Sequence, residues 1–74
     1  MSITETLVSM IEDSKLAPLN YGPSGAPWRK AVKIINGNHV QTNVFGWGEG
    51  TVKVWLNKSS EPLTIEEAVA RLAA

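Results

Sequence analysis

The 74-residue chain predicts an α+β domain in which a helix, three antiparallel strands and a second helix follow one another. Two observations carry this reading. Capping-box patterns open a helical apolar period near each end, at Ser2 with Glu5 and at Thr64 with Glu67. Between them lie three runs of alternating apolar residues, punctuated by Asn36-Gly37-Asn38 and by Gly46-Trp47-Gly48-Glu49-Gly50.

The first helix is expected from about residue 3 to 15. Ile3, Leu7, Met10, Ile11 and Ser14 fall on one stripe, and Glu5, Glu12 and Asp13 occupy the other side. Residues 17–27 read APLNYGPSGAP, whose three prolines and two glycines exclude a regular helix and disfavour a central strand, so a long loop is expected. Tyr21, its only aromatic, either lids one end of the core with its hydroxyl in water or anchors a partner.

Residues 28–36 and 39–45 predict a hairpin around Asn36-Gly37-Asn38. A two-residue turn would place Ile35 with Val40 and Val44 and turn Lys33 inward. A three-residue loop with Gly37 left-handed instead places Val32 and Ile34 beside Val40, Thr42 and Val44, with Trp28 on the same face. The second register is expected because it buries no lysine. The third strand covers residues 51–57 with Val52, Val54 and Leu56 inward, and residues 57–62 connect it to the second helix. That helix begins at residue 65 and presents Ile65, Ala68, Val69 and Leu72. Both helices are expected on one face of a three-stranded meander, forming one domain over residues 1–74. The expected core is Leu7, Ile11, Val32, Ile34, Val40, Val52, Val54, Leu56, Val69 and Leu72.

With no cysteine and one histidine, the chain has neither disulfides nor a Cys/His zinc site to supplement so small a core. Seven basic and seven acidic residues cancel, which excludes a strongly basic nucleic-acid coat and an acidic DNA mimic. The charges are nevertheless segregated, with a net −2 over residues 1–16, +4 over the middle and −2 over residues 61–74. No basic leader precedes an apolar run, and no stretch approaches the roughly 18 apolar residues needed to cross a bilayer. A cytoplasmic protein without a membrane anchor is expected.

Catalytic chemistry has few candidates. His39 lies beside the hairpin turn with no nucleophile near it in sequence, and Glu66 and Glu67 point in different directions at a helix start. No metal site, cofactor or enzymatic activity is expected. The glycines around Trp47 lead into a strand rather than the helix that a phosphate loop requires. Trp47 itself either folds onto the core or projects as an anchor.

The outer sheet face is expected to carry Lys33, Ile35, Gln41, Asn43, Phe45, Lys53 and Trp55. Lysines, amides and aromatics together suit a partner-binding surface, and Tyr21, Lys33, Phe45, Trp47, Lys53 and Trp55 are the candidate contact residues. The expectation is a small non-enzymatic binding or inhibitor protein acting on a protein or ribonucleoprotein. Compact chains without catalytic groups are frequent among phage and mobile-element products that block host defences such as CRISPR. The alternatives are binding of nucleic acid or a nucleotide by the basic face, and a homodimer that hides the same surface.

The order helix, three strands, helix, with Gly22-Pro23-Ser24-Gly25-Ala26-Pro27 before the first strand, resembles the double-stranded-RNA-binding domain. That resemblance implies a lysine cluster at the start of the second helix, gripping phosphates across a groove. Thr64, Ile65, Glu66 and Glu67 stand there instead, so the likeness extends to topology and not to RNA binding.

Overall fold

A computed structural model describes residues 2–23, 25–46 and 51–74. Helix α1 spans Ile3–Leu16 and helix α2 spans Ile65–Ala73. Both capping boxes form. The Ser2 hydroxyl accepts from the Glu5 N–H while the Glu5 carboxylate accepts from the Ser2 N–H, and Thr64 and Glu67 repeat the exchange.

Four strands, one more than expected, make an antiparallel sheet in the order β1 (Asn20–Tyr21), β2 (Pro27–Ile35), β3 (Asn38–Phe45) and β4 (Val52–Leu56). The additional strand comes from the Pro/Gly-rich segment. The prolines at 18, 23 and 27 leave room for a two-residue strand that pairs Asn20 with Trp28 and Tyr21 with Pro27. Pro27 is tolerated as the first residue of its strand, where its carbonyl still accepts from Gly46 N–H.

The β2–β3 hairpin closes through a two-residue turn, correcting the expected three-residue loop. Asn36 and Gly37 both have positive φ, 50° and 77°, and Ile35 pairs with Asn38. This double left-handed turn matches the right-handed twist of the strands it joins, and Asn-Gly is the pair that adopts it at least cost. The whole of β2 is thereby turned over relative to expectation. Ile35 is buried in the core, whereas Val32 and Ile34 are 50% and 63% exposed on the opposite face, together with Trp28. Lys33 pairs with the buried Val40 and so belongs to the helix side, not the outer face.

A lysine that faces the helix layer is buried only where neighbouring strands enclose it. Beyond Trp28, however, β2 is an edge strand, and Lys33 is exposed there. Its stem can run past the rim of the core while its ammonium stays in water.

Both helices cover one face of the sheet. The core joins Leu7 and Met10 of α1, Ala68 and Leu72 of α2, and Ile35, Val40 and Val54 of the sheet, with Ile3, Leu56, Ile65 and Val69 packed against it. Leu63 belongs to it too, a residue that falls between the expected connector and the expected second helix and belongs to neither. It forms a β-bridge with Val54 through two hydrogen bonds of 2.7 and 3.0 Å, which extends the sheet beyond β4 and carries the Leu63 side chain inward.

Two polar devices fix α1 on the sheet. Ser14 and Thr42, both buried, bring their hydroxyls to 2.7 Å, and Ser14 also donates to the Met10 carbonyl. Arg29 donates to the carbonyls of Lys15 and Ala17, a cation set on the orphan acceptors of a helix C-terminus. Asn57, left-handed at φ 52°, ends β4, and its side chain accepts from His39 N–H and donates to the Asn38 side chain.

Candidate interaction surface

The face turned away from the helices follows from the register. Trp28, Lys30, Val32 and Ile34 of β2 lie across from Phe45, Asn43, Gln41 and His39 of β3, which in turn face Lys53, Trp55 and Asn57 on the β4 side. Gln41, Asn43, Phe45, Lys53 and Trp55 are therefore where the alternation places them.

The chemistry of this face is aromatic, amide and basic. Phe45 and Trp55 meet edge to face, with ring centroids 6.3 Å apart and planes at 65°. The Lys30 ammonium lies 5.9 Å from the Trp28 ring centroid, within cation–π range. Gln41 donates to the Asn43 carbonyl oxygen at 2.8 Å, and Asn43 is only 7% exposed although no helix covers it. Lys30, Asn43 and Lys53 occupy one row across three strands. Among the described residues none on this face is a carboxylate. His39 adds a half-buried ring whose Nδ1 is buried with no hydrogen-bond partner among the described residues.

The remaining candidates fall elsewhere. Lys33 is on the helix side, as described above. Tyr21 pairs with Pro27, whose alternation puts it on the helix side also, and at 60% exposure it does not lid the core. Trp47 lies outside the described residues. Trp28 and Lys30, which joined no candidate set, reach this face through the corrected register. The signal that could have found them is the Asn-Gly pair itself.

A groove of about 290 Å³ runs between β4 and the start of α2, lined by Val52, Lys53, Leu63, Thr64 and Glu67 among others. Among the described lining residues the one carboxylate, that of Glu67, is committed to capping α2. The Thr64 backbone N–H, then the Thr64 hydroxyl, then Arg71 hold that carboxyl below its ordinary range. A general acid or base needs the opposite tuning. Among the described residues no three His, Asp or Glu side chains are grouped to hold a metal ion, and no helix is long and apolar enough to cross a membrane.

No family model matches the sequence, and neither a curated protein nor a solved structure matches it.

Proposed function

We propose that this chain is a non-enzymatic binding module that docks on a larger protein or ribonucleoprotein through the outer face of its sheet. The observation that carries the proposal is the cluster of Trp28, Phe45 and Trp55 on a face that neither helix covers. Large rings held by their neighbours lose little rotamer freedom on binding, which is why such side chains dominate interface energetics. Lys30 and Lys53 rim the cluster and favour an acidic surface on the target. A cytoplasmic inhibitor from a phage or mobile element, docking on a host defence complex such as a CRISPR effector, fits this reading. One specific feature favours a second reading. The row Lys30–Asn43–Lys53 between aromatic rings is also a layout for stacking bases and neutralising phosphates, so nucleic acid is the alternative ligand.

Affinity capture from the source cells with the wild-type chain and with Trp55→Ala, in a salt series, tests both. The expected result is a defined complex that survives added salt and is lost in Trp55→Ala, with melting of the variant near wild type. Capture that collapses steeply with salt and releases nucleic acid selects the alternative. Unchanged capture by Trp55→Ala removes the aromatic face from consideration.

A further inference from the structure

We infer that the open edge of β2 is a strand-addition site for an extended, acidic segment of a partner protein. This goes beyond docking on the aromatic face, because it uses backbone atoms at the rim of the sheet.

Hydrogen-bond parity locates the site. The Gly46 N–H donates to the Pro27 carbonyl, so the odd-numbered residues of β2 turn their backbone groups toward β3. The Gly22 N–H donates to the Ala26 carbonyl, so the even-numbered residues turn theirs the other way, toward β1. Pairing with β1 stops at Trp28, and the position that would come next opposite Lys30 is Pro18, which has no N–H to give. The N–H and carbonyl groups of Lys30, Val32 and Ile34 thus face outward with no partner among the described residues. Unpaired backbone of this kind is a template for another strand.

Side chains define what kind of strand. Val32 and Ile34 stand exposed beside those groups, so apolar residues opposite them would remove both from water. The charged residues of β2 are Arg29, Lys30 and Lys33, all basic. Arg29 is occupied by the end of α1, while Lys30 and Lys33 form no ion pair with a described carboxylate. A segment that sets apolar residues opposite Val32 and Ile34 and, alternating with them, carboxylates on the face of Lys33 complements both faces of the edge at once.

The same charges disfavour a second copy. Symmetric antiparallel pairing centred on Val32 sets Lys33 opposite Ala31 of the other chain and places the two Lys33 side chains diagonally on one face, where they repel. Charged edge residues are a recognised guard against self-pairing, and here they would admit an acidic strand while excluding the chain's own.

The test uses short capped peptides alternating valine with glutamate, and matched peptides with lysine in place of glutamate, observed by amide NMR and hydrogen exchange. The glutamate peptide should protect the amides of Lys30, Val32 and Ile34 and bind at least about tenfold more tightly than the lysine peptide. Lys33→Glu should invert that preference. Val32→Pro removes one outward N–H and no β2–β3 bond, so it should weaken binding with melting unchanged. If that variant melts early, the glutamate peptide N-methylated at alternate residues replaces it. Trp55→Ala should leave peptide binding intact, which keeps this site separable from the aromatic face. The proposal is overturned by no binding at millimolar peptide, by equal binding of the two peptides, by shifts confined to Trp28, Phe45 and Trp55, or by protection of the Val32 amide that rises with protein concentration alone.

Discussion

Ser14 and Thr42 show how one polar pair can specify a helix position. Each is fully buried, and each hydroxyl is the other's partner at 2.7 Å, so their energetics are unequal and coupled. Thr42→Val keeps the shape and leaves Ser14 bonded to the Met10 carbonyl, and should cost about 0.5–1.5 kcal/mol. Ser14→Ala leaves the Thr42 hydroxyl buried and alone, and should cost about 1–3 kcal/mol. The double variant should lose less than the sum of the two, a coupling that urea denaturation of all four proteins would measure. Additive losses would mean that the two hydroxyls do not sense each other. The inward placement of each residue, though not their contact, was legible in the sequence, since Ser14 sits on the apolar stripe of α1 and Thr42 alternates with Val40 and Val44. Arg29 was not. Its acceptors are main-chain carbonyls of α1, whose positions depend on how the helix ends and where it lies.

The helices were legible almost residue by residue, because capping boxes and apolar period are both local signals. Strand β2 was not, and the reason is that two local arguments conflicted. Asn36-Gly37 asked for a two-residue turn, and Lys33 asked to stay out of the core. The turn prevailed since a lysine on an edge strand is never required to leave water. That exemption depends on β1 being too short to cover it, and a two-residue strand between prolines leaves almost no trace in sequence. The start of α2 makes a prediction of its own. Because the folded state lowers the Glu67 pKa, the stabilisation from that carboxylate is fully present above its unfolded value and is lost as pH falls through the lowered one. Glu67→Gln should therefore lower the melting temperature modestly at neutral pH and little in acid, so that its acid limb is flatter and the two curves converge as pH falls. Parallel acid limbs for the two proteins would assign the acid sensitivity to other carboxylates.

At the scale of the whole molecule, one face of the sheet is packed by the helices and the other is open, and substitutions should respect the difference. Leu72→Ala opens a cavity at the contact of α2 with the sheet and should cost about 2–5 kcal/mol, enough to threaten a domain of this size. Ile34→Thr and Val32→Thr should stay within about 0.5 kcal/mol of wild type, since both positions already meet solvent. Thermal melts of the three variants check the register directly, and a large loss at Ile34 would reverse it. The sheet's two rims differ as well. On the far side of β4, Val54 has both backbone groups bonded to Leu63, and the Leu56 carbonyl accepts from Ser59. The β2 rim therefore offers three successive outward-facing residues, whereas the bridge to Leu63 interrupts the β4 rim at its middle. Growth by edge pairing needs two open rims on every chain, so the Leu63 bridge works against a fibre built from this sheet.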